Sequence, residues 1–348
     1  MSSGPQRRAA GPPGPFQARY SPNLPELLRK LGCSLLVSTY QAGKLIVVSA
    51  VDDEQIVQLP RTLDRPMALA RSGNRLAVST AGAVQLYVND DRLAQKYPRQ
   101  PDTYDSLFVP RMRMETGRVD THHLEWEGDS VLLLSTLFSC VARVGIDYGL
   151  EPVWKPPFVS ALAPEDRCHL NGVAFQDGSA RYATALGTGD EPESWRKTLP
   201  DGGALIEVPT GEILISGLSM PHSPLLVNGA LYALLSATGE LIRVDPEARS
   251  YEVVKKIGGF VRGMSRHADH LFIAHSRLRK NSSTFRDLPI ADDATTSGVI
   301  VLHEPSLAVV AQITYETSVD EIFDVEVLPG LHRPGIMPES PAARMPVT

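Results

Sequence analysis

The chain has little of what disulfide, nucleic-acid or membrane chemistry requires. Its 348 residues include three cysteines, Cys33, Cys140 and Cys168. An odd count without metal-finger spacing fits a reducing compartment and excludes a disulfide framework. Aromatic residues make up only 6% and the net charge is −6, so no basic field exists to hold nucleic acid or an anionic membrane. The apolar runs at 34–39, 44–51 and 131–138 fall short of the ~20 residues that a membrane-spanning helix needs. The first residues carry arginine, proline and glycine but no apolar signal-peptide core, and the expected location is the cytoplasm. Phosphate-loop chemistry is missing too. AGKL (42–45) lacks the upstream glycine and the following Ser or Thr, and no G-x-S-x-G elbow occurs.

What is present is a repeat. At 43% hydrophobic and 21% charged the chain can bury a sizeable core. Six times a short apolar strand ends in a Gly, Asn or Asp turn: RPMALARSGNRLAV (65–78), HHLEWEGDSVLLL (122–134), NGVAFQDGSARYAT (171–184), HSPLLVNGALYAL (222–234), RGMSRHADHLFIA (262–274) and DVEVLPG (324–330). Aligned on their turns, these segments place Pro66, His122, Asn171, His222, Arg262 and Asp324 at one point of a repeating unit. A spacing of ~40–50 residues points to radial or solenoid architecture. Before the first full unit, CSLLVST, KLIVVSAV and EQIVQLP read as three strands, and FDVEVLP (323–329) supplies a fourth.

Joining those ends in one blade removes exposed strand edges. The expected fold is therefore all-β, a six-bladed β-propeller closed by N-terminal strands pairing with the C-terminal strand. A seventh blade would need a further inner strand within 85–120 or 275–320. The expected domain runs from 23 to 330 and opens with a short helix at 23–32, whose leucines at 24, 27, 28 and 31 form one stripe ending at Gly32. Residues 1–22 and 331–348, rich in Pro and Gly or Pro, are expected to be disordered tails. Long intervals at 89–120, 149–168, 187–203 and 277–297 are expected to fold over one face of the ring.

In a propeller, residues at the start of the inner strands converge on the central channel. His122, Asn171, His222 and Asp324 then offer two imidazoles, an amide oxygen and a carboxylate, a donor set for a divalent metal ion. Arg262, with Arg167 and Glu321 nearby, is the expected ligand-binding group for a carboxylate or phosphate. The loop APEDRCHLNG (163–172) brings Glu165 and His169 toward the same place as candidate acid or base residues. Asp120, His123, Met220 and Asp320 stand close by as a second layer. Structural readings exist beside these. A strand-start histidine can simply be hydrogen bonded, Asn171 before Gly172 fits a turn, and Asp324 can neutralise Arg262. Adjacent Cys168 and His169 point in opposite directions on an extended segment, which disfavours a thiolate–imidazole pair. Trp126, Trp154 and Trp195 read as packing residues, the last two also as material for a pocket wall.

The segments STYQAGKL (38–45), SALAPEDRCHLNGVA (160–174), GLSMPHSP (217–224), FVRGM (260–264) and EIFDVEVLPG (321–330) resemble the signature segments of a bacterial conserved-hypothetical family of the domain-of-unknown-function kind. The resemblance covers roughly 33–330 and implies no particular reaction. In similar sequences the second of these blades reads H-D-L, where this chain has His122, His123 and Leu124. More distantly, Asn171-Gly172 is similar to a pair in the gluconolactonase and senescence-marker propellers, where Glu, Asn and Asp hold a divalent cation for lactone hydrolysis. That group's early Glu-Gly-Pro segment is absent here.

Together these readings predict a propeller that binds a small anionic or peptidic ligand at the channel mouth, with metal-dependent hydrolysis or isomerisation as the chemistry open to it. The competing reading is a non-catalytic interaction scaffold. Neither involves nucleic acid or membrane.

Overall fold

The computed structural model describes residues 14–97, 100–278 and 284–338. The chain forms six antiparallel sheets arranged as the blades of a β-propeller. Blade 1 takes its inner strand, Asp324–Pro329, from the far end of the chain and pairs it with Cys33–Thr39, followed by Lys44–Ala50 and Ile56–Thr62. Blades 2 to 6 have inner strands Leu69–Ser72, Thr121–Glu127, Leu170–Gln176, Pro221–Val227 and Phe260–His267. Each is followed outward by the next three strands in sequence.

The hairpins explain the repeat. In blade 4, Gln176 pairs with Ser179 across Asp177 and Gly178, whose φ angles are 51° and 77°. In blade 5, Val227 pairs with Ala230 across Asn228 and Gly229, at 49° and 82°. Two successive left-handed residues match the strand twist, which is why Asp-Gly and Asn-Gly occupy these corners.

The middle strands are apolar on both faces because each blade is sandwiched between two others. In blade 1, Leu35 and Val37 join Phe272 and Val299 of blade 6, whereas Leu36 between them joins Leu76 and Val78 of blade 2. The same period of two recurs around the ring, and every pair of neighbouring blades shares an apolar cluster. A second tie is polar. The hydroxyls of Ser38, Thr136, Ser236 and Ser276 close the second strands of their blades. They donate to the carbonyls of Met67, Leu170, Val261 and Ile322, at 2.5, 2.6, 2.5 and 3.1 Å, at the start of the next blade's inner strand.

Several sequence expectations change here. The helix forms over Leu24–Lys30, with Leu24 and Leu28 buried in the cluster between blades 1 and 6. The ordered body is longer than 23–330: Ala18–Tyr20 adds a strand to the outer edge of blade 6, and Pro334–Ile336 pairs in parallel with the outer strand of blade 2. Both cover strand edges that would otherwise stay open. The remaining parts of the expected tails, 1–13 and 339–348, lie outside the described residues.

Two of the expected inserts contain the outer strands of their blades, Ser106–Glu115 and Leu150–Trp154. Outer strands are half exposed and carry polar residues, so they lose the apolar signature. The described parts of the other two intervals do fold together. Trp195, Leu288, Ile290 and Ala294 form an apolar cluster with Met220 and Phe260 beside the channel.

Gly263 is the tightest backbone approach on the axis. Its φ is +80°, and a Cβ there would lie 2.7 Å from the Asp324 Cα and 3.0 Å from the Phe323 carbonyl oxygen. Left-handed strain and overpacking each cost about 1–3 kcal/mol. Gly263→Ala should therefore destabilise the protein by roughly 2–4 kcal/mol in denaturant unfolding. A loss under about 0.5 kcal/mol, the range of neutral surface changes, would contradict this packing.

Candidate functional site

The inner strands do not enter the axis as regular ladders. Pairing is interrupted between Thr121 and His123 in blade 3, leaving His122 outside the register, and between Leu170 and Gly172 in blade 4, leaving Asn171. In blade 5 it skips Ser223 and Pro224, and in blade 6 Arg262 and Gly263. Bulges of this kind re-aim a side chain out of the sheet pattern. Two residues before His122, Asn171 and His222 stand Asp120, His169 and Met220, with φ of 54°, 50° and 55°. Left-handed backbone at bulky residues is strained and persists only where the surroundings hold it.

His122, Asn171, His222, Arg262 and Asp324 all line one axial cavity of about 300 Å³. His222 and Arg262 also line a second cavity of about 160 Å³, together with His169, Glu321 and a largely apolar wall that includes Leu186, Met220, Phe260 and Phe285. These two side chains thus form the seam between the cavities. Pro66 precedes its inner strand, which begins at Leu69, and borders neither cavity. The sixth position of the ring is backbone: the Leu69 N–H donates to Asp324 Oδ2 at 3.0 Å.

The hydroxyl ties fix the chemistry of both ring histidines. His222 Nδ1 lies 3.0 Å from the Met220 carbonyl and 2.8 Å from Ser236 Oγ, whose proton is already given to the Val261 carbonyl. Both neighbours can only accept, so Nδ1 carries the proton and Nε2 is a bare acceptor. His122 repeats the arrangement with the Asp120 carbonyl at 3.2 Å and Thr136 Oγ1 at 2.7 Å, the latter donating to Leu170. Burial pushes His122 down to about 4, against the pull of Asp120, and His222 well below 6.5. Both rings are therefore neutral at pH 7. Sequence reasoning missed Thr136 and Ser236. The recurring Ser-Thr and Ser-Ala-Thr after the second strands was the signal for them.

The Arg262 side chain is held by two groups. Its Nη2 meets Glu321 Oε1 at 2.6 Å, and its guanidinium carbon lies 4.0 Å from the centre of the Phe323 ring. The backbone N–H of Gly263 beside it donates to Ser223 Oγ at 3.0 Å. The Nε of Arg262 is buried without a hydrogen-bond partner, as is Nδ2 of Asn171, whose Oδ1 accepts from Thr184 at 2.7 Å. The sequence allowed an Arg262–Asp324 ion pair. The partner is instead Glu321, and the two oxygens of Asp324 accept backbone N–H groups of Leu69 and Val325. Burial raises Asp324 to about 7 and Glu326, deeper in the same cavity, to about 8.

The other expected residues divide. His169 and Glu321 line the smaller cavity. Glu165 and Arg167 border neither and pair with each other, Arg167 also reaching Asp190 at 2.7 Å. They pin the inserted loops. His123 lines the larger cavity outside the aligned ring position, stacked on Phe175, and Asp320 pairs with Arg277. The three cysteines are free and buried, and burial holds the Cys168 thiol up at about 12, which leaves it protonated. Among the described residues no group of three His, Cys, Asp or Glu side chains is placed to hold a metal ion, and no helix is long and apolar enough to cross a membrane.

Comparison with known proteins adds a family and a fold. A family described as a domain of unknown function, DUF4915, matches residues 22–337. No curated protein matches in sequence. A crystal structure of a protein of unknown function from Bacteroides caccae superposes with a TM-score of 0.52 at 11% identity, covering 85% of this chain and 98% of that one. A chain of a nidogen/laminin complex gives 0.54 at 9% identity, covering 86% and 99%. At such identities the likeness concerns the propeller fold alone.

The titration of the cavity has a sign that can be read in stability. Asp324 and Glu326 bind their protons more tightly folded than unfolded, so the stability tied to them is full below the ordinary carboxyl range. It is lost as pH rises through about 7 and about 8. The buried histidines act oppositely: His122, His123 and His275, held down to about 4, and His222, held well below 6.5, add stability as pH rises until the unfolded imidazoles have lost their protons. Above about pH 7, where the unfolded imidazoles have largely lost their protons, the two carboxyls dominate, so unfolding free energy should fall as pH rises from 7 to 8, and Asp324→Asn/Glu326→Gln should flatten the slope. A wild-type profile that rises across this window would contradict the assignment.

Proposed function

We propose, for a chain that belongs to the DUF4915 family of domains of unknown function, that the channel mouth binds a small carboxylate or peptidic ligand at Arg262. The observation that carries this reading is a group of buried polar atoms without partners on side chains that line one cavity, Arg262 Nε and Asn171 Nδ2 among them with Arg71 Nε, His123 Nε2 and Ser265 Oγ. A buried unpaired donor costs about 1–3 kcal/mol, and a ligand oxygen at the seam offsets that cost. The neutral His122 and His222 supply the complement, acceptors for an N–H or O–H on the same ligand. A carboxylate or amide carbonyl beside a hydroxyl or amide N–H satisfies both sets.

Metal-assisted chemistry has weaker support. The back-bonded Nδ1 atoms are what a metal-ligating histidine has, but Asp324 is engaged by backbone, and among the described residues no three His, Cys, Asp or Glu side chains are placed to hold a metal ion, although the His169 ring lies 5.0 Å from that of His122.

The test is calorimetric titration with acetate, lactate, phenylacetate and N-acetylalanine. Hydrogen bonds to a charged group contribute roughly 1.5–3 kcal/mol, so Arg262→Gln should weaken the best ligand by about 10–100-fold. Arg262→Lys should not rescue it, because the planar fork is lost. Glu321→Gln, which frees the guanidinium, should keep or tighten binding. Equal affinity in wild type and Arg262→Gln would overturn the proposal.

A further inference from the structure

The smaller cavity contains an arrangement that ligand binding does not require. Asp166 sits at the end of the inserted loop ahead of blade 4, and its carboxylate is shared between two donors. His169 Nδ1 lies 2.8 Å from Oδ2 and 3.1 Å from Oδ1, and Trp195 Nε1 donates to Oδ2 at 3.0 Å. Asp166 and His169 are both left-handed, at φ 46° and 50°. Trp195, only 2% exposed, comes from a separate insert through the 3-10 turn Ser194–Thr198, and its ring lies 4.4 Å from that of His169. Two distant segments and two strained residues thus converge on the orientation of one imidazole. Merely closing the loop would not need the ring at the cavity, yet His169 lines it, as do Arg262 and the apolar residues Leu186, Met220 and Phe260. A carboxylate on Nδ1–H leaves Nε2 as a proton acceptor and supports the positive charge that follows.

We infer that His169 is a general base acting on the ligand bound at Arg262, with Asp166 as its positioning residue. The ligand class is a carboxylate bearing an aryl or branched apolar group and a C–H made acidic by an adjacent carbonyl. The inference rests on the binding reading above. The apolar wall of the cavity of about 160 Å³ takes the side group, and Arg262 takes the carboxylate. In the step itself the C–H bond breaks and its proton goes to His169 Nε2. The electron pair becomes an enolate, whose oxygen charge develops near the guanidinium. The imidazolium, paired with Asp166, then returns a proton or, in heavy water, a deuteron. No oxidant, reductant or metal enters the balance.

Phenylpyruvate is the probe. In deuterium oxide, proton NMR follows loss of its benzylic signal, and a thermal-shift titration follows binding. General base catalysis is commonly 10²–10⁴-fold, so wild type should exchange the probe at least about 100-fold faster than buffer. His169→Gln should abolish the excess, and Asp166→Asn should lower it by at least about tenfold, with binding retained in both. Independently, long-range proton–nitrogen NMR should find neutral His169 as the Nδ1–H tautomer, shifting toward Nε2–H in Asp166→Ala.

Binding without accelerated exchange would overturn the base assignment and leave the binding reading intact. If the probe neither binds nor exchanges, the ligand class is overturned, and the binding reading stands or falls separately by the Arg262→Gln titration. In that case, and equally if a substitution prevents folding, the wild-type tautomer decides the dyad. Nε2–H there would overturn it, whereas Nδ1–H would uphold it.

Discussion

Everything at the axis depends on apolar contact between neighbouring blades. A four-stranded sheet has two faces to bury, and a ring of sheets buries both by giving each blade a partner on either side. That requirement produces the continuous apolar runs of the middle strands, in which Leu35 and Leu36 serve opposite neighbours. It also holds the inner strands close to one another, so that six of them meet without being hydrogen bonded into a common sheet. The freedom left at their first residues is what the bulges use.

The link between this scaffold and the candidate chemistry is the set of hydroxyls at the blade junctions. Thr136 and Ser236 each donate forward to the next blade, which commits them to accept from the histidine in their own. A structural tie thereby determines a tautomer, and the tautomer determines that each ring presents a lone pair. Burial completes the effect by keeping both imidazoles uncharged. Arg262, stacked on Phe323 and balanced by Glu321, adds charge at the seam of the two cavities without leaving it uncompensated. Inserted loops cover one side of this seam with an apolar wall, which strengthens polar interactions inside it by keeping water out.

Much of the candidate ring could be read before the structure because the hairpin corners register it. Each of His122, Asn171, His222 and Arg262 stands a fixed distance ahead of a turn, and a radial repeat makes equal positions converge. The alignment failed at Pro66, where blade 2 has no bulge. It also overvalued Glu165 and Arg167, whose charges satisfy each other and Asp190 within the loops. Asp166, one residue from Glu165, went unsingled because nothing local distinguishes two adjacent acids. Only the placement of Trp195, nearly thirty residues on, selects between them.

The sequence alone determined the class of fold and most of the side chains delivered to the axis, since period, turn chemistry and burial of both sheet faces are local properties of the chain, whereas six blades rather than seven was decided by the strands the long intervals form. Tertiary structure decided the rest: that Glu321 rather than Asp324 balances Arg262, which ring nitrogen carries each proton, and which loops close the smaller cavity. Those outcomes turn on contacts between segments tens of residues apart, where ångström-scale distances and the loss of water set the energies. No pattern along the chain encodes such distances.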